Sequence, residues 1–199
     1  MGYSKAQKAR THKRIVAIAS RRFREKGLAG FGIAELMKEA GLTVGGFYKH
    51  FDSRDDLVSE AVSAGFGSWK SRVDAAKSGG PAVSYEKLID DYLNEAHRDN
   101  PGTGCGFSAL APEIARSDKR TRALASKQIG DDIQLIAALL PGKDKRTARS
   151  RAILTFSALV GALSLARAAS DDALSREILN TVADLLKDSA QGHQQGKRV

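Results

Sequence analysis

The sequence predicts an all-α protein of about nine helices, with an N-terminal helix-turn-helix unit of three helices and a larger C-terminal helical domain. Three observations support this fold class. Ala, Leu and charged residues dominate the 199 residues, whereas only 4 prolines occur. Apolar residues recur at intervals of three and four, and strand-type alternation is scarce. Apolar residues also make up 42% of the chain, which suffices for a buried core.

The chain begins with a strongly basic helix. It is expected from about Ala6 to Lys26, with Gly27 ending it. One stripe at helical spacing is expected to be buried: Ile15, Ile18, Ala19 and Phe23. Residues 1–26 hold nine basic residues against Glu25 alone, a net charge of +8 that leaves the rest of the chain at +1. A basic end of this kind favours phosphate contact, although a solvated face that only aids solubility is the alternative.

Residues 32–54, GIAELMKEAGLTVGGFYKHFDSR, contain two short helical segments with a tight break between them. The first segment has one apolar face, formed by Ile33, Leu36 and Met37. Gly41 supplies the flexible backbone that ends it, and the Thr43 hydroxyl is expected to cap the second segment. The second segment is expected to turn its rings inward, at Phe47 and Phe51. Two short helices joined by a Gly-containing turn predict a helix-turn-helix, whose second helix enters the DNA major groove.

The rest of the chain is predicted to be helical up to a loose tail. Helices are expected at about 53–77, 83–97, 105–115, 118–140, 147–169 and 173–190. Asp52 or Ser53 is expected to cap the first of these, and its apolar stripe would run through Phe66, Trp69 and Val73. Pro112 predicts a kink or a late start in the third. Residues 191–199 are polar and are expected to be flexible.

The last two predicted helices are more apolar than the core of one subunit requires. The first of them interleaves small residues among large apolar ones, at Ser157, Gly161 and Ser164, and this lets another helix approach closely. The second carries an apolar stripe formed by Leu174, Ile178, Val182, Leu185 and Leu186. These features predict a homodimer interface within residues 147–190. The alternative is that both helices only complete the core of the monomer.

Several other classes of protein are disfavoured. The single cysteine, Cys105, rules out an intrachain disulfide and suits a reducing cytoplasm. No apolar run approaches the roughly 20 residues of a membrane span, and no apolar signal region follows the basic N-terminus. The four histidines are scattered without an HExxH or CxxC motif, and no strand precedes the glycines at 102, 104 and 106. We therefore expect a cytoplasmic protein with no catalytic residue, no metal site and no cofactor.

Taken in order, these motifs resemble those of the TetR family of bacterial transcriptional repressors. The matching stretches are RFREKG, GIAELMKEAGL, TVGGFYKHF and DSRDDLV, all within about the first 60 residues. Beyond them the likeness is architectural, apart from NPGTGCGFSALAPEIA, which is similar to a segment of one branch of the family. The resemblance implies a homodimer that binds a double-stranded DNA operator. It places a DNA-binding domain at residues 1–52, an effector-binding and dimerisation domain at 53–190, and a flexible tail at 191–199.

The resemblance also implies which residues contact DNA: Thr43, Val44, Gly45, Gly46, Tyr48, Lys49, His50 and Arg54. Tyr48 stands where the family contacts phosphate, and Arg54 stands where a lysine is more usual but still suits phosphate. Gly32 replaces a Ser or Thr that commonly touches phosphate, so only its backbone amide remains for that contact. Val44 offers at most a surface for a thymine methyl group. Most of these contacts would set affinity and register rather than read bases.

Control by an effector is the remaining implication, and two mechanisms stay open. A small apolar effector could enter a pocket walled by Phe66, Trp69, Tyr92, Cys105, Phe107, Leu110 and Phe156. Alternatively, Cys105 could sense electrophiles or oxidants, because it stands at an expected helix N-terminus, where the helix dipole stabilises a thiolate. A buried, unreactive cysteine is the simpler reading of that residue. A DNA-binding protein without any effector is the other alternative.

Overall fold

A computed structural model of the chain describes residues 5–66, 83–141 and 144–195. Within these ranges all the regular secondary structure is helical, which confirms the predicted fold class. The α-helices are α1 (Lys5–Lys26), α2 (Ile33–Glu39), α3 (Arg54–Ala64), α4 (Tyr85–Tyr92), α5 (Glu95–Asp99), α6 (Gly106–Ala115), α7 (Lys119–Leu139), α8 (Lys145–Ala168) and α9 (Asp172–Gln195). Two short 3₁₀ helices span Val44–Lys49 and Pro101–Thr103.

The described residues form two compact units that are not continuous in sequence. The N-terminal unit contains residues 5–66 together with 101–126, and the C-terminal unit contains residues 83–100 with 127–141 and 144–195. Residues 101–126 therefore belong to the unit that carries the helix-turn-helix. Nothing in the local periodicity of the sequence indicated this association, because it depends on contacts between residues far apart in the chain.

The core of the N-terminal unit forms around α1, which packs against α2, α3, α6 and the second 3₁₀ helix. Its buried residues are Ile15, Val16, Ala19, Ser20 and Phe23. Ile18, which was expected in this stripe, is only half-buried. The buried face of α1 differs from the expected stripe, in that Val16 and Ser20 are buried in place of Ile18, because several elements pack against α1.

Two glycines turn the chain where the sequence indicated. Gly27 (φ 78°) ends α1, and Gly41 (φ 68°) follows α2 in the turn of the helix-turn-helix. A positive φ of this kind favours glycine, because a Cβ atom would clash with the neighbouring carbonyl oxygen. Ser53 then caps α3 by accepting a hydrogen bond from the Asp56 amide at 3.1 Å, which settles the choice between Asp52 and Ser53.

Some predicted helix boundaries were wrong. Helix α3 ends at Ala64, and Gly65 is its C-terminal cap. The single helix expected from residue 53 to about residue 77 is therefore interrupted at Gly65. Phe66 lies beyond that end and is buried. Trp69 and Val73, the other members of the expected stripe, lie outside the described residues.

The expected helix at 83–97 is two helices, because the Asn94 side chain accepts a hydrogen bond from the His97 amide at 2.8 Å and starts α5. Helix α6 continues through Pro112. At its far end the chain remains helical beyond Ala190, where the helix was expected to end, and α9 finishes at Gln195. Polar composition therefore did not mark the end of this helix.

In the C-terminal unit, α8 and α9 pack against each other, α4 packs against α9, and α5 packs against α8. The residues buried on α8 include Leu159, Leu163 and Ala166, and those on α9 include Leu179, Leu186 and Ala190. Of the stripe expected on α9, only Leu186 is buried, whereas Leu174 and Leu185 are exposed. The apolar residues of these two helices thus exceed what the described core covers.

Helix α8 is the one described helix that is long and apolar enough to cross a membrane by length and composition, with a mean hydropathy of 1.3 over its most apolar stretch. The sequence reading had found no such stretch. A single helix of this kind is weak support for a membrane span, because helices that pack against others in soluble proteins have the same composition. Only 39% of that stretch is buried in this chain.

Candidate DNA-binding surface

The segment Val44–Lys49, called here the reading segment, has a buried side and an exposed side. Phe47 is completely buried, and its ring stacks on that of Phe51 with centroids 5.3 Å apart. On the opposite side, Val44 is 51% exposed and Tyr48 is 70% exposed. Lys49 is also exposed. The two rings therefore anchor the segment, and Val44, Tyr48 and Lys49 face outward. His50, which was also predicted to contact DNA, is half-buried.

The reading segment is the second short helix that was predicted, and it is a 3₁₀ helix. The amide of Gly46 donates to the Thr43 carbonyl at 2.9 Å, and the amide of His50 donates to the Phe47 carbonyl at 2.9 Å. Thr43 occupies the N-cap position with extended backbone, but its hydroxyl makes no capping hydrogen bond, so that expected contact was wrong. Two consecutive glycines are weak α-helix formers, which accounts for the tighter and shorter turn.

Gly45 is not required by the packing of this chain. A Cβ atom added at Gly45 would meet nothing within 4 Å, and one added at Gly46 would lie 3.5 Å from Met37 Cε, an ordinary contact. The bare backbone at Gly45 therefore leaves open space on the exposed side of the reading segment. Space of this kind allows a large ligand surface to approach the backbone closely.

The rings of two histidines, His12 and His50, lie near the Phe51 ring that follows the reading segment. His12 Nε2, from α1, is 2.7 Å from Glu60 Oε2, and the His12 ring stacks on Phe51 with centroids 4.6 Å apart. The His50 ring lies 5.9 Å from that of His12. Its Nδ1 atom is buried without a hydrogen-bond partner among the described residues. Burial lowers the pKa of His50, and the nearby positive charges of His12, Lys8 and Lys49 lower it further.

The basic residues of α1 fall into two groups. Near the end of the helix, Arg21 and Arg22 pair with Glu39 of α2, and the Arg22 Nε to Glu39 Oε2 distance is 2.8 Å. Arg24 is partly buried and donates to the Gly102 carbonyl and to Ser20. The other group is exposed and has no ion pair within the described chain: Lys5, Lys8, Arg10, Lys13 and Arg14. The exposed cations therefore lie in the first half of α1, while the arginines of the second half bind other groups of the same unit.

Arg54 and Gly32 also differ from simple phosphate contacts. The Arg54 guanidinium is exposed, and it donates a hydrogen bond to the Leu28 carbonyl in the turn after α1. Gly32 caps α2 by position, and its amide donates to Glu35 Oε2 at 3.3 Å. Both groups thus have partners within the chain in the absence of DNA.

The residues predicted to wall an effector pocket are distributed over both compact units. Phe66, Cys105, Phe107 and Leu110 belong to the N-terminal unit, and Tyr92 and Phe156 belong to the C-terminal unit. Trp69 lies outside the described residues. Within the N-terminal unit, the Phe66 and Phe107 rings stack with centroids 4.5 Å apart.

Cys105 occupies the N-cap position of α6 and is half-buried. Arg24 lies close enough to interact with it: burial lowers the pKa of Arg24, and negative charge on Cys105 acts in the opposite direction. The cysteine is therefore near a fixed guanidinium as well as near the positive end of a helix. The sequence indicated the helix end but not Arg24, which is far away in the chain.

A cavity in the C-terminal unit lies elsewhere and is polar. Its volume is about 280 Å³, and its lining residues are Arg98, Asp99, Ala166, Arg167, Ala169, Ser170, Asp172 and Ser175. None of these was predicted to bind an effector. Arg98 pairs with Asp99 at 2.7 Å and with Asp172 at 2.9 Å, and these hydrogen bonds raise its pKa. The charges in this cavity therefore compensate one another, and the lining does not suit an apolar ligand.

Comparison with known sequences finds relatives of the region that contains the reading segment. Residues 15–61 match the sequence profile described as bacterial regulatory proteins, tetR family. Over 55 residues the chain is 40% identical to the HTH-type transcriptional regulator AcrR of Shigella flexneri. This match covers 28% of the chain and 25% of that relative, so the chain spans about a quarter of the length of the curated relative it matches.

Comparison with solved structures extends the likeness over nearly the whole chain. The fold is similar to that of the reduced form of E. coli NemR, with a TM-score of 0.72 at 19% identity over 90% of this chain and 96% of the other. A TetR family regulator from Cytophaga hutchinsonii gives 0.72 at 22% identity, over 94% and 98%. A TetR regulator from Legionella pneumophila gives 0.74 at 18%, over 94% and 97%. At these identities the comparisons show a shared fold.

The lowered pKa of His50 predicts how stability responds to acid. The unfolded chain takes up a proton on this ring near its ordinary pKa of about 6.5, whereas the native ring resists protonation. The contribution of His50 to the free energy of unfolding should therefore fall as the pH drops below about 6.5. Urea denaturation of the wild type and His50→Gln over this range measures it, because His12 is common to both proteins and largely cancels. A difference between the two that stays constant or grows on acidification would contradict the assignment.

Proposed function

Because the chain is a member of the TetR family of bacterial regulatory proteins, we propose that it is a dimeric transcriptional repressor that binds a palindromic DNA operator. A small-molecule effector releases it from that operator. It acts in the cytoplasm and has no catalytic role. One observation carries the proposal above all others: the reading segment has Phe47 buried, whereas Val44, Tyr48 and Lys49 are exposed, as are the cations of the first half of α1.

The proposed contacts with DNA are of two kinds. Tyr48, Lys49 and the exposed cations of α1 contact phosphates, which sets affinity and register without encoding sequence. Val44 and the backbone at Gly45 face the base edges, where a methyl contact with thymine is the available readout. Arg54 contributes only if DNA competes successfully with the Leu28 carbonyl that it binds in this structure.

The proposed dimer forms through the exposed apolar faces of α8 and α9. On α8, Ile153, Leu154 and Leu165 are 44%, 64% and 61% exposed. On α9, Leu174 and Leu185 are 47% and 64% exposed, and both lie at helical spacing with the half-buried Ile178 and Val182. Exposed apolar patches of this extent in a soluble chain mark surfaces that pack against a partner. A two-fold symmetric pair would place two reading segments on two half-sites, and one segment alone reads too few base pairs.

An apolar effector remains the proposed ligand. Its candidate contacts are Phe66, Cys105, Phe107 and Leu110 in the N-terminal unit and, separately, Tyr92 and Phe156 in the C-terminal unit. A second mechanism is favoured by one observation, the proximity of Arg24 to Cys105 at the start of α6. The Cys105 thiol would add across the conjugated C=C bond of an electrophile such as a quinone: the S–C bond forms as the C=C π bond breaks, and the thiol proton ends on the quinone oxygen, so no external oxidant is required.

The phosphate contacts predict a characteristic salt dependence. Tyr48→Phe combined with Lys49→Ala should weaken binding to all duplexes alike, by roughly tenfold, and should reduce the slope of log K against log salt by about 1. Fluorescence anisotropy with an operator selected from random duplexes by the wild-type protein measures both quantities. Arg22→Ala is the matched control, since Arg22 pairs with Glu39 and its loss should leave the slope unchanged. An unchanged affinity in the double variant would refute the assignment of this segment.

The dimer interface predicts the effect of two exposed leucines. Leu154→Glu combined with Leu185→Glu should leave the monomer folded, because both side chains are largely exposed. It should raise the dimer dissociation constant by about 100-fold or more, since each leucine loses its burial in the partner. Sedimentation velocity measures the association, and the Tyr48→Phe, Lys49→Ala protein should remain dimeric. A double glutamate variant that stays dimeric would place the interface elsewhere.

The two release mechanisms give different results with reactive compounds. If Cys105 is the sensor, a quinone should release the wild-type protein from its operator, and Cys105→Ser should remain bound under the same treatment. Gel-shift titration in the presence of the quinone measures this. Loss of binding by both proteins would remove Cys105 from the mechanism. A wild-type protein that stays on its operator with every metabolite and electrophile tested would favour a DNA-binding protein without an effector.

A further inference from the structure

We propose that Glu113 of α6 is a positioning residue for operator binding, acting through the peptide group of Leu28; this inference rests on the proposed DNA-binding function. Glu113 lies outside the helix-turn-helix in sequence, 85 residues from its partner. Its Oε1 atom accepts a hydrogen bond from the Leu28 amide at 2.7 Å. A carboxylate that accepts from a backbone amide makes a charge-assisted bond, which is stronger than one between neutral groups.

The Leu28 peptide is held from both sides. Its amide donates to Glu113, and its carbonyl accepts from Arg54, the first residue of α3. Leu28 follows Gly27, which has the positive φ that ends α1, and a Cβ atom at Gly27 would lie only 3.0 Å from Glu113 Oε1. The carboxylate thus sits directly against the bare backbone of this turn.

This turn determines how the exposed cations of α1 are placed relative to the reading segment. It connects α1 to α2, and α1 also packs against α3 within the same unit. Residues Lys5 to Arg14 form the end of α1 that is farther from this turn. A small change in the backbone angle at the turn would therefore produce a larger displacement of these residues, because α1 is 22 residues long. Because one helix carries phosphate contacts and another carries the reading segment, their mutual angle controls whether both can bind one duplex.

The segment that carries Glu113 is also held against α1. It lies on α6, whose first cap is Cys105, and the preceding 3₁₀ helix is bound to α1 through the Arg24 guanidinium and the Gly102 carbonyl. A Cβ atom at Gly102 would lie 2.4 Å from Glu25 Oε1, so this segment fits closely against α1. Residues 101–116 therefore contact the end of α1 at Gly102 and the turn after α1 at Glu113. A displacement of α6 would reach Leu28 through Glu113.

The test compares three variants for operator affinity, salt slope and thermal stability. Glu113→Ala should weaken operator binding by about tenfold, with an unchanged slope of log K against log salt, because no phosphate contact is removed. Glu113→Gln should remain within about threefold of the wild type, since its amide oxygen still accepts from Leu28. Tyr85→Phe, which removes a buried hydrogen bond to Thr155 in the C-terminal unit, controls for general loss of stability and should bind the operator normally.

Hydrogen exchange of the Leu28 amide provides the second readout. Exchange should accelerate in Glu113→Ala and not in Tyr85→Phe. Faster exchange with normal operator affinity would overturn the positioning role while leaving the proposed function intact, and so would a change in the salt slope. A wild-type protein that selects no duplex would instead refute the proposed function, and this inference with it.

Discussion

The burial of Phe47 and Phe51 is the interaction on which the DNA-binding surface depends. A 3₁₀ helix of six residues with two glycines has too few hydrogen bonds to persist alone in water. Each buried phenylalanine contributes roughly 2–3 kcal/mol relative to an exposed one. That contribution holds the backbone of the reading segment against the rest of the unit. Tyr48 and Lys49 point outward because the residues beside them point inward.

Around this anchor, polar contacts are used to hold helices rather than to bind ligands. Arg21 and Arg22 bind Glu39, Arg24 binds Gly102, and Arg54 binds Leu28. Salt bridges at an exposed surface contribute little each, about 0–1 kcal/mol, so several of these contacts act together with the buried apolar residues. The basic residues of α1 therefore fall into two groups along the helix. Cations of its first half are exposed, and the arginines of its second half bind other groups of the same unit.

The C-terminal unit shows a similar separation between a buried apolar face and an exposed apolar face. On α8, Leu159 and Leu163 are buried, whereas Leu154 and Leu165 are exposed. The same alternation on α9 leaves Leu174 and Leu185 outside the core. Apolar residues on both the buried and an exposed face explain why α8 resembles a membrane span in composition, and a helix that packs against both its own subunit and a second copy would have this character.

Much of this protein was determined by the sequence itself, because the relevant signals are local. Helical spacing predicted an all-α fold, Gly27 and Gly41 marked the turns, and the motif at 32–54 predicted a helix-turn-helix with Phe47 and Phe51 inward. Two predicted helix boundaries failed because a local group stopped or restarted the helix: Gly65 ended α3, and the Asn94 side chain began a new helix. Only the tertiary structure decided which arginines are already paired, that residues 101–126 join the N-terminal unit, and that Glu113 binds Leu28. These depend on groups far apart in the chain, and periodicity along a chain carries no information about them.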